Sequence, residues 1–139
     1  MKDKAKILVV EADTPLAMLM VGLLTQAGCN VEAAWTGKTA IERASETKFD
    51  LIALDSELPD MTGFEICSDL KQRHISWKTP VVVIGASSRP DDIDEAKRRG
   101  AVDYLAKPVD PTELIYKVIY HAKAKMLKDG VSTAGEAVV

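Results

Sequence analysis

Apolar positions in this chain follow two alternating rhythms. Residues 7–10, 51–54 and 81–84 are unbroken apolar runs rich in branched side chains. Such runs suit strands buried on both faces of a parallel sheet. The middle run reads as a strand from Phe49 to Leu54, and residues 30–34 and 101–105 read as two shorter strands. Between them the apolar residues fall at helical spacing. Leu16, Leu19, Met20, Leu23 and Leu24 form a first stripe, with Thr14 as the expected N-cap, Pro15 at the first helical position and Gly28 as the stop. Thr36 and Gly37 lead into a second helix carrying Ala40, Ile41 and Ala44, and Gly63 opens a third with Phe64, Ile66, Cys67 and Leu70 inward. Pro90, Asp91 and Asp92 suit a fourth helix start, because acids there oppose the helix dipole. That helix carries Ile93 and Ala96 and stops at Gly100. Asp110, Pro111 and Glu113 predict a capped start to the last helix, whose stripe is Leu114, Ile115, Val118, Ile119, Ala122 and Met126.

Five strands alternating with five helices predict a doubly wound α/β domain around a five-stranded parallel sheet. Residues 1–127 form the expected domain. Residues 128–139 turn small and polar and are expected to be a flexible tail. No internal repeat or interdomain linker interrupts this order, and 139 residues suffice for one real core.

Composition narrows the class. A hydrophobic content of 47% and a charged content of 28% are ordinary for a soluble globular domain. A net charge of −3 supplies no general attraction to nucleic acid, and the basic cluster Lys97, Arg98 and Arg99 reads as a solvated helix face. The first apolar run is too short for a signal-peptide core, and no stretch approaches membrane-spanning length. Cys29 and Cys67 form no CxxC pair and read as free buried thiols in a reducing cytoplasm.

The polar residues of interest fall where strands of such a sheet end. Ligand sites in open α/β sheets lie in the crevice at the carboxyl ends of the strands. Glu11 and Asp13 follow the first strand with Ala12 between them, Asp55 ends the third, Gly85 ends the fourth, and Lys107 with Pro108 ends the fifth. Carboxylates gathered at one edge make a hard-cation site suited to Mg²⁺. A neighbouring lysine can neutralise phosphoryl oxygens as a point charge. Together they suit phosphoryl transfer to a carboxylate.

In the segments ILVVEAD, FDLIALDSELPDMTGFE, PVVVIGAS and GAVDYLAKPVD, the chain resembles the receiver domains of response regulators in bacterial two-component signalling. The resemblance covers about residues 5 to 127 and implies a flavodoxin-like fold. It implies Asp55 as phospho-acceptor, Glu11 as the first acid of an Mg²⁺ site, and the Glu57 backbone carbonyl as a metal ligand. Lys107 would contact the phosphoryl group, and Tyr104 would be a rotating aromatic switch. The implied partners are a histidine kinase or a histidine phosphotransfer protein. A downstream protein or a second copy could bind the face formed by the fourth helix, fifth strand and fifth helix.

Two positions depart from the family's pattern. Ala12 stands where a second, metal-coordinating acid is usual, and Gly85 stands where a Ser or Thr would bond the phosphoryl group. The first change weakens Mg²⁺ binding. The second removes a charge-assisted hydrogen bond of ~1.5–3 kcal/mol and the hydroxyl that would pull on Tyr104. Asp13 or the Glu57 side chain could reach the metal instead, although Asp13 suits a helix cap equally well.

Several residues have plainer readings. Ser87 and Ser88 cap or solvate the turn before Pro90. His74 and His121 are expected on exposed helix faces. Trp35 and Trp77 lie in or near loops and either pack or meet partners. Tyr116, Tyr120 and Leu127 recur beside the core stripe of the last helix, either as a partner-binding patch or as edge cover with hydroxyls in water.

Two functions from different classes remain. The first is a phospho-acceptor switch at Asp55, favoured by the intact Asp55 and Lys107. The other is a pseudo-receiver that binds partners without phosphorylation, favoured by Ala12 and Gly85. An aspartyl-phosphate hydrolase is a third, poorer fit, because the DxD pattern expected after the first strand is missing. The expectation is therefore a non-enzymatic signalling module without an output domain in this chain.

Overall fold

A computed structural model of the chain describes residues 4–73 and 78–130. Strands β1 (Lys6–Val10), β2 (Asn30–Ala34), β3 (Leu51–Asp55), β4 (Val81–Gly85) and β5 (Asp103–Ala106) alternate with helices α1 (Thr14–Gln26), α2 (Gly37–Glu46), α3 (Gly63–Gln72), α4 (Pro90–Arg98) and α5 (Pro111–Lys128). The strands form one parallel sheet in the order β2-β1-β3-β4-β5. The doubly wound α/β fold is thus the one expected, with the order reversing between β1 and β3.

The continuous apolar strands supply both faces of the core. Leu8, Val10, Ile52, Leu54, Val81 and Val83 meet the inner faces of α2, α3 and α4. Ile7, Val9, Leu51, Ala53, Val82 and Ile84 meet α1 and α5 through Met20, Leu24, Leu114 and Val118. Each fully buried Leu, Ile or Phe contributes about 1.5–3 kcal/mol relative to an exposed position. Such burial pins the strand ends that carry the polar residues.

The helix starts correct two details. Asp13, not Thr14, is the N-cap of α1, and its carboxylate accepts the Leu16 N–H at 3.3 Å. The reciprocal capping box sits at α3, where Thr62 and Glu65 each accept the other's backbone N–H. At α5 only Asp110 plays its half, accepting from Glu113 N–H at 2.9 Å, while the Glu113 carboxylate pairs with Lys117.

Strand bounds also shift. Phe49 is buried but precedes the β3 ladder, which begins at Leu51 and includes Asp55. The ladder of β5 starts at Asp103, because the chain is still turning after Gly100, whose φ is 110°. The last helix includes Lys128, and Asp129 caps it while pairing with Lys48 and Lys125. The last helix therefore runs one residue beyond the expected domain bound of 127. Expectations for His74, Trp77 and residues 131–139 lie outside the described residues.

Candidate functional site

Because β1 and β3 are neighbours, Glu11 and Asp55 emerge side by side at the carboxyl edge of the sheet. Both carboxylates are buried, with 2% and 5% exposure. Lys107 follows β5, its N–H donating to Gly85 O at 2.8 Å, and its side chain reaches back across the β4 end. Lys107 Nζ donates to Asp55 Oδ2 at 2.8 Å and stands 3.2 Å from Glu11 Oε1. The contact with Glu11 is a charge contact without hydrogen-bond alignment, and Glu11 Oε1 is buried without an aligned donor. Asp55 Oδ1 accepts from Glu57 N–H at 2.9 Å, and Glu11 Oε2 accepts from Asp13 N–H at 3.1 Å.

The charges are coupled by this crowding. Burial, and then the adjacent Asp55 carboxylate, push the Glu11 pKa up, against the Asp13 N–H and Lys107. Burial alone would pull Lys107 down, but its contacts with Asp55 and then Glu11 outweigh it and raise its pKa. The ammonium is therefore firmly charged, and it is what keeps two neighbouring carboxylates tolerable in one crevice.

The loop between β3 and α3 is built to bring its backbone against Asp55. A Cβ on Gly63 would fall 2.7 Å from the Asp55 carbonyl oxygen, so only glycine allows the return, and Gly63 N–H donates to Ser56 O at 2.8 Å. Glu57 and Thr62 bridge the loop, and the Glu57 side chain is exposed. Asp60, which sequence reasoning missed, accepts from Gly37 and Lys38 N–H at 2.8 and 2.9 Å and ties the loop to the start of α2. Those two donors lower its pKa. The signal available was an acid beside a turn proline, too common to single out.

The other expected site residues divide. Asp13 is spent on capping α1, and Ala12 offers no carboxylate. Tyr104 is buried, at 6% exposure, and its hydroxyl donates to Ser87 O at 2.8 Å. Burial, with smaller effects from the Asp92 and Asp55 charges, raises its pKa. Ser87 does belong to the turn before α4, accepting Arg89 N–H and bonding Asp92. Arg98 and Arg99 pair with Glu95, and Arg99 also lies over the Phe64 ring.

One reading is corrected. His121 is not on an exposed face: its side chain is 19% exposed, and its Nε2 lies 3.0 Å from Asp103 Oδ2. Asp103 also pairs with Lys117, and Lys117 Nζ donates to Tyr104 O at 2.8 Å. Tyr116 and Tyr120 are 68% and 59% exposed and stack with centroids 6.1 Å apart.

Residues 7–119 match the response regulator receiver domain family. The chain belongs to that family. This receiver domain is 32% identical over 130 residues to the response regulator ArlR of Staphylococcus aureus, covering 94% of this chain and 58% of that protein. The chain therefore spans little more than half the length of the curated relatives it matches. In structure it is similar to the receiver domain of the Francisella response regulator 1452, with a TM-score of 0.83 and 27% identity, covering 87% of this chain and 98% of that one. It is also similar to the chemotaxis response regulator CheY4 of Vibrio cholerae, with a TM-score of 0.78 and 30% identity, covering 86% and 99%. Receiver domains of two-component systems generally bind Mg²⁺ and are signalling modules. Among the described residues, no three His, Cys, Asp or Glu side chains gather into a metal cage, and no helix is long and apolar enough to cross a membrane.

Proposed function

We propose that this receiver domain accepts a phosphoryl group on Asp55 from a phosphohistidine of a histidine kinase or histidine phosphotransfer protein. The observation that carries the reading is the contact of Lys107 with Asp55, beside buried Glu11. An Asp55 carboxylate oxygen attacks phosphorus, the N–P bond breaks, and an acyl phosphate forms. The Lys107 ammonium neutralises charge on the transferred oxygens. Glu11, Asp55 and the Glu57 carbonyl are the donors for Mg²⁺, which would supply further neutralisation of phosphoryl charge. The unaligned Glu11 Oε1 fits a hard cation or its water, whereas Ala12 leaves the set one carboxylate short, so the affinity is low. Such a kinase relay places the protein in the cytoplasm. Its protein contacts, or a second copy, meet the α4-β5-α5 face, where Tyr116 and Tyr120 are exposed.

Ala12 and Gly85 favour a second reading, a phosphorylation-independent binding module. Titration with Mg²⁺ and beryllofluoride, a phosphoryl mimic, followed by NMR separates the two. Saturable shifts lost in Asp55→Asn support the phospho-acceptor. Silence at millimolar Mg²⁺ supports the binding module.

A further inference from the structure

Gly85, like Gly63, is a glycine at this edge whose need is space rather than backbone freedom. Among the described residues, the glycines with positive φ are Gly28, Gly100 and Gly130, and Gly85 is not one of them. A Cβ built on Gly85 would overlap Tyr104 Oη, stand 3.0 Å from Tyr104 Cζ and 3.1 Å from Ser56 Oγ. The tip of the Tyr104 ring therefore occupies the volume that a side chain at position 85 would take. Tyr104 and Val83 are register partners across β5 and β4, and the ring belongs to the core on the α2-α3-α4 face.

The phenol is also fully employed in that seat. Its hydroxyl donates to Ser87 O, which satisfies a polar group in a buried position. The Ser87 hydroxyl is in turn bonded to Asp92 in the first turn of α4 and accepts Arg89 N–H. The Tyr104 backbone is held on both sides, its N–H by Asp103 and its carbonyl by Lys117.

We propose that Gly85 and Tyr104 form a lock: the missing side chain at 85 seats the Tyr104 ring permanently inward, and the ring straps the β4–α4 loop to β5. Tyr104 is then a fixed strut rather than a moving reporter. The state of Asp55 does not set its position; the size of residue 85 does. A signal leaving Asp55 must travel by other contacts, those with the Glu57 N–H in the β3–α3 loop and with Lys107 after β5. A side chain at 85 restores competition for the same volume and expels the ring.

The test is NMR of the protein with ε-carbon-labelled tyrosine, in the presence of a soluble gadolinium chelate. Tyr104→Phe assigns the Tyr104 signal, and exposed Tyr116 and Tyr120 are internal references. The expected result is one Tyr104 signal, broadened several-fold less than the other two, and unmoved by Mg²⁺ with beryllofluoride. In Gly85→Thr the signal should broaden like an exposed tyrosine. A wild-type Tyr104 signal that is exposed or averaging would overturn the lock, as would a move to a new environment on beryllofluoride or an unchanged signal in Gly85→Thr. If beryllofluoride does not bind at all, the phospho-acceptor reading fails, and the comparison of wild type with Gly85→Thr still decides the lock. Should Gly85→Thr not fold, Gly85→Ala in wild-type and Tyr104→Ala backgrounds replaces it. The lowering of the urea midpoint by Gly85→Ala should then largely vanish without the ring, and an equal lowering in both backgrounds would overturn the lock.

Discussion

Lys107 Nζ stands 2.8 Å from Asp55 Oδ2, with Glu11 close enough to share the same ammonium. Two neighbouring carboxylates oppose each other's ionisation, and burial first, then the adjacent Asp55, raise the Glu11 pKa. Removing the cation leaves both buried charges without their counter-ion. Lys107→Met should therefore lower stability by ~1–3 kcal/mol, less than a fully buried pair would lose because the lysine side chain is 29% exposed. Adding Glu11→Gln should recover much of that loss. A urea-denaturation double-mutant cycle reads the coupling, and strictly additive effects would contradict it.

Asp103 sits at the hub of a second charge cluster. Burial raises its pKa, but the contacts with His121, Tyr104 N–H and Lys117 outweigh burial and lower it overall. A carboxyl with a depressed folded pKa stabilises the fold above its unfolded value of about 3.9. That contribution is lost as pH falls from there through the folded value. Asp103→Asn should cost about 1 kcal/mol near neutral pH. The stability curves of variant and wild type should converge in acid. Parallel curves from about pH 7 to about pH 2 would show that Asp103 contributes no ionisation-linked stability.

How far residues announced these features depends on range. The strands are legible because β1, β3 and β4 are continuous apolar runs, and their ends place Glu11, Asp55 and Gly85 on one edge, with Lys107 after the shorter β5. Contacts closing across the chain were not legible. Asp60 reaches the start of α2, and His121 reaches Asp103 across 18 residues. Neither has a local spacing that marks it. The cap of α1 was misplaced by one residue because Asp13 and Thr14 are both good caps and only the backbone chooses between them. The consequence of Gly85 is also hidden in the sequence, which shows the missing hydroxyl, whereas the fold shows that the Tyr104 ring fills its place.

Cys67 is half-buried on α3, outside any disulfide, and burial pushes its thiol up to about 11. The thiolate is the reactive form, so near pH 8 only about one molecule in a thousand is poised to react. Site-resolved alkylation followed by mass spectrometry should find Cys67 labelled about a hundredfold more slowly than an ordinary exposed thiol. Its rate should keep climbing by about tenfold per pH unit toward pH ~11 while the fold holds. A plateau near about pH 8.5 would mean that the thiol titrates like a free cysteine.

Asp13 caps α1, and Ala12 beside it carries no carboxylate. Asp13 accepts the Leu16 N–H and offers its own N–H to Glu11, so its carboxylate is committed to the start of α1. Asp13→Ala should cost ~1 kcal/mol of stability and leave Mg²⁺ affinity within about twofold. Ala12→Asp adds a hard anionic ligand beside Glu11, and should tighten Mg²⁺ by about tenfold. The same change crowds a third carboxylate onto Lys107, so without Mg²⁺ the variant should be less stable than wild type, and Mg²⁺ should reverse the order by binding the native state. Isothermal titration of Mg²⁺ into both variants, with thermal melts at matched Mg²⁺ concentrations, checks each point. A marked loss of Mg²⁺ affinity in Asp13→Ala would make Asp13 the substitute ligand, and would mean that the cap contact gives way when the metal binds.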